Sequence, residues 1–164
     1  MSLRPRSCIL TLALVLAALV APAQATPYEG SPSQHSILAP PAPSKAELAT
    51  RFALEEVGTP YRWGGESPQS GFDCSGLVRW AYGRVGIDLP HNSYALYGVG
   101  RRVRVGGLEV GDVLFFEGLG HVGLYLGKGR MVHAPETGRT VEVVRLSATN
   151  YGARFIGARR VTAE

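Results

Sequence analysis

The hydrophobic repeat of the chain changes once, at GLEVGD from Gly107 to Asp112, and that change limits the folds open to it. Ahead of this point, apolar residues recur at helical spacing. In DCSGLVRWAYGRVG, Leu77, Val78, Ala81, Tyr82 and Val85 fall at offsets of 1, 3 and 4 and make one helical face. Asp73 suits its N-cap, and the helix is expected to begin at or beside Cys74 and to end between Gly83 and Gly86. SKAELATRFALEEVG predicts an earlier helix, with Leu48, Phe52 and Leu54 to Val57 near helical spacing, Ser44 as N-cap and Gly58 as the stop. Between the two, TPYRWGGESPQSG is a loop rich in Gly, Pro and Ser, and a short helical turn around Ser93 to Tyr97 follows LPHNS. Beyond Asp112 come VLFFE, HVGLYLG, RMVHAP, VEVVRL and RFIGARRV, short β-rich runs separated by glycine-bearing turns, which read as an antiparallel meander. Helices first and strands after define an α+β domain.

The chain opens with MSLRPRSCILTLALVLAALVAPAQA: two arginines, an apolar run from Cys8 to Ala21, then Ala23-Gln24-Ala25. That is the layout of a secretory signal peptide, residues 1–25, cleaved after Ala25. The run is shorter than the roughly 20 residues a spanning helix needs and ends in Pro22, so it is not read as a retained membrane anchor. Residues 26–44 are dense in Pro and Ser without apolar periodicity and read as an extended linker. The folded domain is expected over residues 45–164, long enough for one hydrophobic core. Losing Arg4 and Arg6 with the signal lowers the net charge from +4 to +2. That balance, without a basic run carrying interleaved aromatics, argues against a nucleic-acid partner. Cys8 leaves as well, so an exported chain keeps the single thiol of Cys74 and has no internal disulfide. Cys74 is then a reactive cysteine, half of an intermolecular bridge, or a buried bystander.

A helix N-terminus presents unpaired backbone N–H groups and a positive dipole end, which lower a thiol's pKa and favour the nucleophilic thiolate. Cys74 is expected in that position, and a neighbouring imidazole would complete its activation. His121 opens HVGLYLG and His133 closes RMVH. With Gly127-Lys128-Gly129 as a three-residue hairpin loop, Leu126 faces Arg130 and Gly123 faces His133. The two imidazoles then lie diagonally on one face, with Val122, Leu124 and Val132 on the other. A two-residue loop would split the histidines between faces.

The stretches GTPYRWGG, FDCSGLVRWAYGRVGIDLP and LEVGDVLFFEGLGHVGLYLGKGRMVHAP, in this order and spacing, resemble the motif series of the NlpC/p60 family of bacterial cell-wall cysteine peptidases. The resemblance runs from Lys45 to about Val161. It implies a papain-like α+β fold, N-terminal helices packed on an antiparallel sheet, and no cofactor or metal. It also implies Cys74 as nucleophile, His121 as general base and His133 as the group that orients it. Peptidoglycan stem peptides are the implied substrate, often cut between γ-D-glutamyl and meso-diaminopimelate residues, and the export signal would deliver the chain to the periplasm or cell wall. Backbone N–H groups at the helix start would meet the oxyanion. Tyr61, near the nucleophile in relatives resembling this chain, is a further candidate, with Asp73 and Ser75. The sequence departs from the pattern after Leu89-Pro90, where His91 and Leu96 stand in place of the arginine and glutamine of many relatives.

Other residues have plainer readings. His91 is taken as an exposed or capping residue before Asn92 and Ser93, and His35 as part of the linker. Asp73 is first an N-cap, since a carboxylate beside a thiolate opposes its ionisation. Trp63 and Trp80 are read as core or cleft wall, Gly111-Asp112 as a turn, and Arg101, Arg102 and Arg104 as a solvated edge strand. Competing functions are a related Cys-His amidase or acyltransferase, a wall-binding protein without activity, and a zinc site on one Cys and two His. The last lacks CxxC or HExxH spacing. The chain is expected to be a monomer, with substrate targeting left to the domain itself or to a protein partner.

Overall fold

The structure, a computed structural model, describes residues 41–161. The expected signal peptide and the linker as far as residue 40 lie outside the described residues. Helix α1, Lys45–Glu55, starts in a capping box: the Ser44 hydroxyl accepts the Glu47 N–H, and the Glu47 carboxylate accepts the Ser44 N–H at 2.7 Å. Its buried face is Ala49, Thr50 and Ala53, whereas Leu54 and Val57, expected on the apolar face, are exposed. Close packing explains the change. A Cβ built on Gly111 would lie 2.5 Å from the Ala46 Cβ, so this helix presses on the turn before the sheet and only small side chains fit beneath it.

Helix α2, Cys74–Gly83, forms where its periodicity predicts and buries Leu77, Val78, Ala81 and Tyr82. The Tyr82 hydroxyl donates to the Gly111 carbonyl at 2.8 Å, tying α2 to the same turn. Ahead of α2, the expected loop contains a two-residue hairpin, β1 Glu66–Ser67 with β2 Gly71–Phe72. Helix α3 is the single turn Ser93–Tyr97, capped by Asn92.

The main sheet has six antiparallel strands: β3 Arg101–Val103, β4 Val113–Phe116, β5 Val122–Gly127, β6 Arg130–His133, β7 Glu142–Arg145 and β8 Phe155–Arg160. Between β7 and β8 lies the short helix α4, Tyr151–Arg154. The strand order is β3-β8-β4-β5-β6-β7. Strands β4 to β7 make the expected meander, but β8 departs from it by returning between β3 and β4. The physical reason is the two-sided burial of β4. Val113 and Phe115 face the helices, while Leu114 and Phe116 join Met131 and Ala158 on the opposite side. An unbroken apolar run of this kind needs a neighbour on each edge and cover on each face.

Asp112, read as a turn residue, is 1% exposed and grips Arg160 of β8, whose Nε reaches Oδ1 at 2.7 Å and whose Nη2 reaches Oδ2 at 2.8 Å. Leu96 is a core residue, which accounts for an apolar side chain at that departure from the family pattern. Arg101 and Arg102 lie exposed on the edge strand β3, as expected, whereas Arg104, exposed too, falls just past its end because the chain turns at Val105–Gly107. Among the described residues, no helix is long and apolar enough to cross a membrane.

Candidate active site

Cys74 is the first residue of α2 and is half-buried. Asp73, the N-cap, organises everything around it. Its Oδ1 accepts the Gly76 N–H at 2.7 Å and the Ser75 hydroxyl at 3.1 Å, and its Oδ2 accepts the Gly64 N–H at 2.9 Å. Ser75 is therefore buried and oriented by Asp73. His91 does not behave as the exposed or capping residue expected. Its Nε2 stands 2.9 Å from Asp73 Oδ1 and its Nδ1 3.2 Å from a Glu66 oxygen, while Asn92 does the capping. Arg79 holds Glu66 from the other side. Neither Glu66 nor the bridging role of His91 has a signature in the sequence, because both depend on the loop folding back over the start of α2.

His133 ends β6, and His121 immediately precedes the neighbouring strand β5. The hairpin turns through Lys128-Gly129, closed by the pair Gly127 and Arg130, yet Leu124 pairs with Val132 as a three-residue loop would require. A bulge between Tyr125 and Gly127 absorbs the difference. Lys128 and Gly129 both have positive φ, 53° and 68°, as a tight two-residue hairpin turn demands. The expected juxtaposition thus arises by a different route. His121 Nε2 lies 2.8 Å from His133 Nδ1, and Val122, Leu124 and Val132 share the helix-facing core. The two ring nitrogens face each other, an arrangement unlike two ligands converging on one zinc ion.

Aromatic rings fix the pair. Tyr151 of α4 stacks on His121 at 5.1 Å and 23°, meets His133 edge-on at 4.9 Å, and Phe116 lies 5.8 Å from His121. Tyr151 has no signature in the sequence, since it is remote along the chain and sits in a helix of only four residues. Burial drives both imidazoles toward neutrality. His121 is pushed down to about 4, with Arg154 adding to the effect, and His133 to about 3, with His121 and Arg139 contributing.

The thiol departs from the low pKa expected of a helix N-terminus. Burial pushes Cys74 up, and the Asp73 carboxylate adds to this. The backbone N–H groups of Val122, Ser75 and Cys74 itself pull in the expected direction without winning. Cys74 and His121 share a cleft of about 510 Å³ walled by Tyr61, Trp63, Asp73, Ser75, His91 and Pro135. Burial raises the Tyr61 phenol, and the charges of Cys74 and Asp73 raise it further. Trp63 stands 89% exposed at the mouth of this cleft, whereas Trp80 packs against Phe72 and Phe52.

A thiol at a helix start, set in a cleft beside a buried imidazole pair on an antiparallel sheet, defines a papain-like α+β protein. The chain belongs to the NlpC/P60 family, whose profile matches residues 58–160. It is 42% identical over 137 residues to a probable endopeptidase of Mycobacterium tuberculosis, covering 82% of this chain and 35% of that protein. It is 38% identical over 130 residues to murein DD-endopeptidase MepH of Escherichia coli, covering 72% of this chain and 48% of that one. A crystal structure of an NlpC/P60 family protein from Bacillus cereus superposes with a TM-score of 0.69 at 34% identity, over 75% of this chain and 42% of the other. The chain therefore spans about a third to a half of the length of these relatives.

Proposed function

We propose that this protein is an exported peptidoglycan hydrolase, a cysteine endopeptidase that cuts stem peptides at the γ-D-glutamyl–meso-diaminopimelate bond. The observation that carries the reading is the 2.8 Å contact of His121 Nε2 with buried His133 Nδ1, with His121 itself lining the cleft that holds Cys74. With Nε2 engaged by His133, the nitrogen that serves Cys74 is His121 Nδ1. The upward shift of the thiol and the downward shift of the imidazoles make the resting pair a neutral thiol and a neutral imidazole. The proton therefore moves from sulfur to His121 as the sulfur attacks.

In the first half-reaction, Cys74 Sγ bonds to the γ-carbonyl carbon. The C–N bond then breaks, the amine takes its proton from His121, and a thioester remains. Water, deprotonated by His121, attacks the thioester and releases the acid and the thiol. Backbone N–H groups at the start of α2 and the Tyr61 hydroxyl stabilise the oxyanion, while Asp73 and Ser75 shape the wall that binds substrate. The signal-peptide reading of residues 1–25 supplies export to the compartment where this substrate lies.

A second reading places the cut at a D,D crosslink, and the likeness to a protein named a murein DD-endopeptidase favours it. Purified protein and its Cys74→Ser counterpart are to be incubated with peptidoglycan and defined muropeptides, and the products weighed by mass spectrometry. Wild type alone is expected to release the peptide headed by diaminopimelate and to leave L-alanyl-D-glutamate on the sugar. Crosslink-derived products would establish the D,D reading. An amide other than a stem-peptide bond would mark an amidase. Wall binding by both proteins without products would leave a wall-binding role and sink the enzyme reading.

A further inference from the structure

The histidine pair leaves one atom unexplained. His133 is fully buried, and its Nε2 lacks a hydrogen-bond partner of good geometry among the described residues. The closest carboxylate is that of Glu142, whose Oε1 lies 3.4 Å away but out of line for a hydrogen bond. Glu142 sits directly opposite His133, at the paired position on β7. Side chains at paired positions of antiparallel strands project from the same face. Arg139 donates to both Glu142 oxygens, at 2.6 and 2.7 Å, and so holds the carboxylate in place.

Proton accounting along the chain of nitrogens gives this contact its meaning. This step rests on the proposed roles of Cys74, His121 and His133. To take a proton from Cys74, His121 needs its lone pair on Nδ1 and its proton on Nε2. That proton is donated to His133 Nδ1, which must then carry a lone pair. Neutral His133 accordingly bears its own proton on Nε2, inside the protein, facing Glu142. A buried N–H without an acceptor costs free energy, and an acceptor there selects the tautomer that the base requires.

We propose that Glu142 is a positioning residue, accepting the His133 Nε2–H and thereby locking His133 in the tautomer that receives the His121 proton. The relay runs from Cys74 through His121 and His133 to Glu142, and the carboxylate is not itself protonated. The 3.4 Å separation is of the kind that tightens when charge develops on the imidazoles. Besides His121 and Glu142, His133 is faced by the Tyr151 ring from α4, with Arg139 behind the carboxylate. Among the described residues, Glu142 is thus the carboxylate that faces Nε2.

Full-length protein labelled with ¹⁵N at histidine tests the tautomer directly. Wild type is expected to show neutral His133 protonated on Nε2, and Glu142→Ala to shift that resonance and speed its exchange with water. In muropeptide turnover, Glu142→Ala is expected to lower kcat by about ten- to a hundredfold with little change in KM, the consequence of an unpaired buried donor. Glu142→Gln, which keeps an acceptor oxygen and the side-chain size, is expected to retain more activity than Glu142→Ala. A proton found on His133 Nδ1 in wild type, or a folded Glu142→Ala protein with wild-type kcat, overturns the inference. Failure of wild type to turn over any muropeptide is instead a failure of the endopeptidase reading, and the tautomer measurement still decides the role of Glu142.

Discussion

Gly76 and Gly83 lie in the same helix, and the same substitution is expected to act on them with opposite sign. A Cβ at Gly76 would stand 2.0 Å from the Gly65 carbonyl oxygen and 2.9 Å from His91 Nε2, against 3.4–4 Å for ordinary contact. The obstacle is backbone, and it has little freedom: the same Gly65 oxygen accepts the Asp73 N–H at 2.9 Å. Moving it by the roughly 1.4 Å required strains that bond and drags the loop that also binds Asp73 through Gly64. Overpacking costs about 1–3 kcal/mol and a weakened hydrogen bond about 1 more, offset by about 1 kcal/mol of helix propensity gained by alanine. Gly76→Ala is therefore expected to lose roughly 1–3 kcal/mol. Gly83 meets nothing within 4 Å and is exposed, so Gly83→Ala is expected to gain up to about 1 kcal/mol. Urea denaturation of both variants beside wild type measures the two values. The rate of Cys74 alkylation in Gly76→Ala then reports whether the thiol moved with the loop. Equal midpoints for the two variants, or a Gly76→Ala protein as stable as wild type, would refute the packing account of this glycine.

Two further outcomes follow from buried charge. Because His121 and His133 titrate lower in the folded chain than the usual value near 6.5, the unfolded chain binds more protons below that pH. Stability should fall as pH drops from about 6.5 toward 4, by an amount on the order of a few kcal/mol. Urea titrations across this range should flatten in the His121→Gln/His133→Gln double variant; an unchanged slope would mean the imidazoles are not the source. Arg160→Met leaves Asp112 buried without its partner and is expected to cost roughly 3–5 kcal/mol. Adding Asp112→Asn should recover much of that loss, and a double-mutant cycle with no coupling would count against the pair.

Residues whose roles depend on local chemistry were legible in the sequence. Ser44 and Asp73 cap helices because a short polar side chain ahead of an apolar helical face can do little else. Cys74 could be placed at a helix start for the same reason. His121 and His133 could be paired because a hairpin constrains both strands at once, though nothing in the sequence marks the bulge at Leu126. What stayed hidden was set by long-range contacts. The insertion of β8 between β3 and β4 depends on the two-sided burial of Val113–Phe116, and nothing in the order of the strands announces it. Asp112 looked like any turn residue until Arg160, 48 positions later, closed on it. His91, Glu142 and Tyr151 belong to the same group: the contacts of each are made with a partner on another element.

The thiol expectation failed for a different reason, and the failure bears on mechanism. A helix N-terminus does offer N–H groups to the Cys74 sulfur, but the same packing that aims them also strips water from it. Desolvation then opposes the charge that the N–H groups favour. The histidines meet the same constraint, since the burial of His121, beside the ring of Tyr151, is also what pushes its imidazole down. With the thiol pushed up and the imidazole pushed down, the proposed mechanism has the proton leave sulfur only as the substrate carbonyl arrives over it. A site of this kind holds little reactive thiolate while empty. Alkylation of Cys74 by a small reagent is accordingly expected to be slow at neutral pH and to rise well into the alkaline range. A fast reaction with an inflection below pH 7 would show instead that the N–H groups outweigh burial.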